Sequence, residues 1–451
     1  MRLIRRFAPM LLTALAVLGT PALLLAHARL VRSTPIDNAR LTTLPTALSL
    51  WFSEKPELRF TKIDLVDSAG VPITLGKPAT IPGDAMGLKV PITGSLANGR
   101  YMISWRTAAA DGHATTGKLI FTIAVAPPID PPVAQQESTP PPQTAEPNTV
   151  VETGEATVFS SSARWVELVA VLTLVGAVFF PLYILPGASF SAPEATEAAD
   201  RARRIANWVL VLFLFTALWR LSSQAGLVPG NRLEAMVEVV RETQWGRSWM
   251  IGATGAVIVG LGLLISRLTF FGWVIAGLGM LAVALGEGLT GHAAAMRENA
   301  AIAAAVDLTH LVAAGGWLGG LIAVVLCGLP AIARLDAPEQ RRVGRQLVIS
   351  HHRAALACVA IVLLTGLVAA WLRLTSIDDL WTTPYGNLLF RKTIFVGGVL
   401  LFGLYHWLFV ARPQWNQKTA LRFTRSAAFE LMAGAIVIAF TALLVATALP
   451  T

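Results

Sequence analysis

At 451 residues, with 54% hydrophobic residues, only 14% charged ones and a mean hydropathy of +0.61, the chain has the composition of a polytopic membrane protein and not of a soluble enzyme. Its net charge of +9 does not mark a nucleic-acid binder, because the excess sits largely in short loops between apolar segments, where a cytoplasmic positive bias accounts for it. The two cysteines, Cys327 and Cys358, both fall in apolar stretches, so the soluble part of the chain has no disulfide and must rest on a packed core.

The first 26 residues read as a signal peptide. Arg2, Arg5 and Arg6 precede an apolar stretch over 7–25, broken by Pro9 and Pro21. Cleavage after Ala26 leaves His27 as the new N-terminus, although Leu24 stands where a small residue is preferred. Cleavage after Ala28 fits the small-x-small pattern and discards His27; an uncleaved anchor is the other alternative.

Residues 27–125 carry strand signals at 48–52, 61–66, 88–92, 100–105 and 117–125, with a turn at Asp67-Ser-Ala-Gly70. Short strands at this spacing predict an all-β sandwich of about 100 residues. Residues 126–160 form a linker, in which Pro127, Pro128, Pro131, Pro132 and Pro140 to Pro142 favour an extended spacer. The membrane domain, 161–451, holds eight predicted spans at 165–186, 205–222, 249–266, 269–289, 303–329, 354–372, 393–411 and 427–449. An exported first domain places the start of the first span outside. The loops then assigned to the inside carry most of the loop Arg, among them Arg201, Arg203, Arg334 and Arg341, as the positive-inside rule requires. The stretch 226–247 is amphipathic through Leu233, Met236, Val237 and Val240, which suits the outer membrane surface.

Histidine is scarce, seven in all, and its placement points to chemistry. As a first residue His27 offers its α-amine and its imidazole together, a chelate that suits Cu(II). His113 adds a nitrogen and Asp111 an oxygen, with Gly112 between them; by itself Asp-Gly-His is also a common turn. In the membrane part, Asp307 and His310 lie three apart on one helix face and His292 at the outer end of the fourth span. These three form a candidate outer copper site, to which Glu287 and Met296 are additions; the bland alternative is that Asp307 and His310 satisfy each other or neighbouring helices. His406, Cys327 and Cys358 are candidates for an inner, softer site, against the ordinary role of buried cysteine as a small hydrophobe. His351 and His352 read as an interfacial polar pair, and Gly315, Gly316, Gly319 and Gly320 as a close-packing surface.

Several stretches resemble the CopC copper-binding domain: His27-Ala-Arg-Leu-Val-Arg-Ser-Thr-Pro35, Leu50-Trp-Phe-Ser-Glu54, Gly99-Arg-Tyr-Met-Ile-Ser-Trp-Arg106, and Ala110-Asp-Gly-His113 followed by Gly117-Lys-Leu-Ile-Phe121. Residues 160–449 resemble CopD, through Gly291-His292-Ala293, Asp307-Leu-Thr-His310, Gly315-Gly-Trp-Leu-Gly-Gly320 and Tyr385-Gly-Asn-Leu-Leu389. The resemblance implies a Greek-key sandwich holding Cu(II) through His27, Asp111 and His113, fused to an all-α bundle of about eight helices that handles copper in the membrane. Some CopC proteins add a Met-rich Cu(I) site; here the mature domain has only Met86 and Met102, so one Cu(II) site is expected.

The function expected is capture of Cu(II) outside the cytoplasmic (inner) membrane and copper transport or homeostasis, with uptake favoured over export and periplasmic copper chaperones as partners. No ATP-consuming motif and no enzymatic activity is expected. Two other readings stand beside it. One is a haem-binding membrane protein with His310 and His352 as axial ligands. The other is a copper oxidoreductase built on an N-terminal histidine, which Asp111 disfavours by filling a coordination position.

Overall fold

The computed structural model describes residues 30–53, 55–108, 114–125, 154–226, 231–291, 299–405, 408, 417–447 and 449–450. These fall into two compact units, with the division before Gly154.

The first unit is a β-sandwich. One sheet has the order β1 (Leu30–Thr34), β3 (Ala47–Phe52), β7 (Asp84–Pro91), β6 (Ala79–Ile81). The other has the order β2 (Ala39–Leu41), β9 (Ala114–Ile123), β8 (Gly99–Ala108), β4 (Lys62–Asp67), β5 (Pro72–Ile73). Every described pairing is antiparallel except β2 with β9. Alternation explains which strands are legible. In β3 the residues Leu48, Leu50 and Phe52 point inward and are buried, as are Tyr101, Ile103 and Trp105 in β8 and Leu119, Phe121 and Ile123 in β9. These residues form one core across both sheets. The short edge strands β1, β2, β5 and β6 bury little and carry no such pattern, so the sequence does not announce them. Two of the motif residues quoted above are explained by packing. Gly117 pairs with Trp105, and any side chain there would overlap the indole. The Tyr101 hydroxyl donates to the carbonyl of Ala97 at 3.0 Å and accepts from its N–H at 2.9 Å, closing the loop before β8.

The second unit is helical. In chain order it has α1 (Gly154–Phe179, prolonged by a wide turn at Phe180–Ile184), α2 (Ala192–Ala225), α3 (Arg232–Glu242), α4 (Gln244–Ile265) and α5 (Phe271–Leu289). Then come α6 (Ala300–Ile332), α7 (Ala337–Arg373), α8 (Asp379–Thr382), α9 (Pro384–Tyr405) and α10 (Gln417–Val445). Among the described residues eight of these are long and apolar enough to cross a membrane, the number expected. Two begin well before the apolar stretch that betrays them, α2 at Ala192 rather than 205 and α7 at Ala337 rather than 354. Their first turns are polar, each with a proline that fits there (Pro193 and Pro338), and in α7 Asp336 caps the helix by accepting from the Glu339 N–H at 3.0 Å. Hydropathy registers only the membrane-buried middle. α1 begins at Gly154, inside the stretch expected as linker.

α6 is the central helix. Its run Gly315-Gly-Trp-Leu-Gly-Gly320 includes a π-helical turn at Gly315–Gly319, and each residue of the run meets a neighbour. Gly315 lies against Val175 of α1 and Gly319 against the backbone of Leu172 and Gly176. The Trp317 indole donates to Glu430 Oε1 of α10 at 3.0 Å, and Leu318 covers Gly434. Gly316 faces Cys358 of α7, and Gly320 lies between Ile184, in the turn after α1, and His351 of α7.

Candidate functional site

Three places in the structure bear on function. The first is the end of the sandwich at the β8–β9 hairpin. β1 starts at Leu30, paired with Phe52, and the Phe52 ring packs edge-on against Trp105 at 5.2 Å. The last described pair of the hairpin, Ala108 with Ala114, lies three positions beyond Trp105. The hydroxyls of Thr61 and Thr107 meet at 2.7 Å, tying the start of β4 to the same end. His27, Asp111 and His113 lie outside the described residues.

The second place is one end of the helix bundle, where α1, α2 and α5 meet in a buried ion network. Arg164 donates to Glu287 Oε2 at 2.5 Å and to Glu167 Oε2 at 3.4 Å. Arg220 donates to Glu167 Oε2 at 2.6 Å and to Glu287 Oε2 at 3.4 Å, and its guanidinium lies 5.5 Å from the Trp245 ring centroid. The Thr290 hydroxyl donates to the Glu287 carbonyl at 3.0 Å. Two acids and two bases cancel, the condition for keeping charge at membrane depth. Glu287, expected beside a metal, is thus occupied by Arg164. Sequence reasoning passes over Arg164, Glu167, Arg220 and Glu430. The signal for Glu167, Arg220 and Glu430 is a charge inside an apolar stretch, and Arg164 stands at the edge of one.

The third place is the antiparallel seam between α6 and α7. Arg373 holds both carboxylate oxygens of Asp307, at 2.8 and 2.6 Å. His310 Nδ1 and the Thr365 hydroxyl share a hydrogen bond of 2.9 Å. Asp307 and His310 therefore share one helix face, as their spacing predicts, and each is engaged by α7 rather than by the other. Further along, a methyl group on Gly316 would lie 2.8 Å from Cys358 Sγ, and one on Gly320 would lie 3.6 Å from two atoms of the His351 ring. Gly328 faces Leu347 beyond them. Cys327 and Cys358 are both buried and unbridged, but the structure does not bring them together. Cys327 packs in the large core that α1, α2, α4, α5, α6, α7 and α10 share, whereas Cys358 packs with Trp317, Val362 and Val399. Eleven residues of α6 separate Cys327 from Gly316, about 16 Å of helix. His310 and His352 are also apart: the partner of His310, Thr365, is thirteen residues from His352, about 20 Å along α7. That separation does not suit axial ligands of one haem. His292, Met296 and His406 lie outside the described residues, and among the described residues no three His, Cys, Asp or Glu side chains converge on a metal position.

Comparison with known proteins covers both units. Residues 30–124 match the CopC domain, 156–303 the N-terminal domain of copper resistance protein D-like proteins, and 345–444 copper resistance protein D. The chain is 26% identical over 404 residues to the copper transport protein CutJ of Bacillus subtilis, across 86% of this chain and 69% of that one. It is 33% identical over 113 residues to protein YobA of Escherichia coli K12, across 24% of this chain and 91% of YobA. To copper resistance protein C of Xanthomonas campestris pv. juglandis it is 30% identical over 103 residues, 22% of this chain and 80% of that one. A two-sheet sandwich that matches CopC, followed by eight apolar helices that match the two parts of CopD, makes this a multi-pass membrane protein, and the chain belongs to the CopC/CopD family of copper resistance and transport proteins as a fusion of the two domains.

Proposed function

We propose that the sandwich captures Cu(II) on the outer side of the cytoplasmic membrane through His27, Asp111 and His113, and that the helix bundle carries copper inward. The observation that carries the reading is the meeting of chain segments at the hairpin end of the sandwich. Leu30 pairs with Phe52, which packs on Trp105, and the hairpin ends three residues further on. His27 stands three residues before Leu30, within about 10 Å of chain reach, and Asp111 and His113 belong to the five residues between Ala108 and Ala114. Two imidazoles, an α-amine and a carboxylate are a donor set that Cu(II) prefers in a tetragonal plane. The names of the relatives CutJ, a copper transport protein, and copper resistance protein C agree with copper as cargo.

The reading requires removal of residues 1–26, so that His27 supplies its amine. It makes copper the substrate and the bilayer the setting, with periplasmic copper chaperones as donors and no enzymatic turnover. Reduction of the captured ion by an external one-electron donor precedes its acceptance by softer ligands in the membrane.

The test is Cu(II) titration of the secreted domain with sequencing of its mature N-terminus. A chain beginning at His27, with Cu(II) affinity lowered by at least about tenfold in His27→Ala, is the expected result. A chain beginning at Arg29, or an unchanged affinity, defeats the site. Direction is read separately: cells lacking the gene lose copper when the metal is scarce if the protein imports it, and hold more if it exports.

A further inference from the structure

We propose that the end of the bundle where α1 begins and α2 and α5 finish holds a hydrated proton-binding site, with Glu167 as the group that takes the proton. The inference involves no copper step, so it stands or falls apart from the reading above.

Five buried side-chain polar atoms with no partner among the described residues gather here: Ser161 Oγ, Arg164 Nε, Glu167 Oε1, Gln224 Oε1 and Trp245 Nε1. Ser161, Arg164 and Glu167 follow one another at three-residue intervals along one side of α1. Gln224 stands one turn beyond Arg220 on α2, and the Trp245 ring of α4 lies 5.5 Å from the Arg220 guanidinium. Three helices thus bring unpaired groups to the one ion network of Arg164, Glu167, Arg220 and Glu287. Buried polar groups are almost always paired, so a polar guest completes this set. The set says which guest. Ser161, Arg164 and Trp245 offer protons, whereas Glu167 Oε1 and Gln224 Oε1 accept them. A bare cation would leave the donors unpaired, and an anion the acceptors. Water both gives and takes hydrogen bonds and serves all five.

Glu167 is the group that exchanges a proton with that water. Arg164 and Arg220 stay charged. Both bond Glu167 through Oε2, at 3.4 and 2.6 Å, which leaves Oε1 bare although the side chain is fully buried. Glu287 is held by Arg164 at 2.5 Å. The neighbouring helices α6 and α10 bring Asp307 and Glu430, which are engaged by Arg373 and Trp317. A proton from water bonds to Oε1 and leaves hydroxide to the medium. The carboxylate becomes a carboxylic acid whose O–H donates, through water, to Gln224 Oε1. The network then holds one positive charge in excess, which makes the proton easy to lose again.

The test uses the purified full-length protein. Dicyclohexylcarbodiimide adds a protonated buried carboxyl across its C=N bond, and mass spectrometry locates the resulting acylurea. Labelling of Glu167 should rise by at least about tenfold as pH falls from about 8 to about 6, with Glu287 labelled far less throughout. Equal labelling of the two, or none of Glu167 at any pH, overturns the proton site, and this measurement needs no variant. Gln224→Leu, which removes the second acceptor, should lower Glu167 labelling at the acid end by about threefold, and an unchanged yield overturns the link between them. Hydration is read from hydroxyl radicals made from bound water by an X-ray pulse. Trp245 should oxidise at least about threefold faster than Trp273, which is as deeply buried; equal rates overturn the water-filled site.

Discussion

Glu167 is the side chain on which the α1–α2–α5 network turns. It is fully buried, and Oε2 takes a proton donor from each of two arginines on different helices. Removing it leaves two buried cations facing Glu287 alone. Breaking one partner of a buried pair costs on the order of 3–5 kcal/mol, because the survivor keeps its desolvation penalty. Glu167→Ala should therefore lower the thermal midpoint of the detergent-solubilised protein markedly, and Glu167→Ala combined with Arg220→Met should recover part of the loss. An unchanged midpoint in the single variant would mean that these ion pairs hold nothing. At this scale the sequence is half legible. The i,i+3 spacing of Asp307 and His310 shows that they share a face, and the structure agrees. It cannot show that Glu287 belongs to Arg164, 123 positions away, because that pairing exists only once the helices pack. The reverse holds for His27, Asp111 and His113, which are legible only as chemistry, from donor types and the chance of a free amine.

Among the elements, the turn before α9 shows how a short polar segment is fixed between spans. Asp379 Oδ2 accepts from the Thr375 N–H at 2.7 Å, the Thr375 hydroxyl at 2.8 Å and the Ser376 N–H at 2.9 Å. The Ser376 N–H first, then the Thr375 hydroxyl, hold its carboxyl below the usual aspartate range. A depressed carboxylate stabilises the turn fully above the ordinary aspartate value of about 3.9, and the contribution fades as pH falls through the lower folded value. Protection of the Thr375 and Ser376 amides, the exchange rate relative to an unstructured amide at the same pH, should hold at neutral pH and fall only in strong acid, and Asp379→Asn should lower it at neutral pH. Exchange in the variant that matches wild type would remove the carboxylate from the account. The same turn explains why Gly386 follows Tyr385: a side chain there would overlap the Asp379 carbonyl, and the Gly386 N–H donates to the Thr383 hydroxyl at 3.0 Å. Element number and type are legible because apolar runs of membrane length are unambiguous. The starts of α2 and α7 are not, since polar helical turns look like loop to a hydropathy scale.

At the level of the whole molecule, the sandwich and the bundle each have their own core and answer to different solvents. Leu48, Phe52, Ile103, Trp105 and Phe121 close one core by excluding water. The bundle instead leaves large apolar side chains such as Trp208, Leu268 and Trp371 exposed, a surface that only lipid or detergent satisfies. Unfolding in denaturant should therefore show two transitions, and Glu167→Ala should move the bundle transition alone. A single cooperative transition would mean that the cores are coupled. The fold class of each half follows from the period of its apolar residues, whereas the pairing of α6 with α7 has no sequence signal beyond the shared face of Asp307 and His310 and a run of glycines.

That run of glycines has one more consequence, for how tolerant each side of the seam is to change. On α6, Gly315, Gly316 and Gly319 reject any side chain whatever its chemistry, since the obstacle is volume, whereas at Gly320 the Ile184 side chain need give only slightly. On α7, Cys358 meets Gly316 closely, a methyl group there lying 2.8 Å from its Sγ, so volume limits this side as well. Gly316 and Cys358 thus share one space: enlarging the first asks for a smaller side chain at the second.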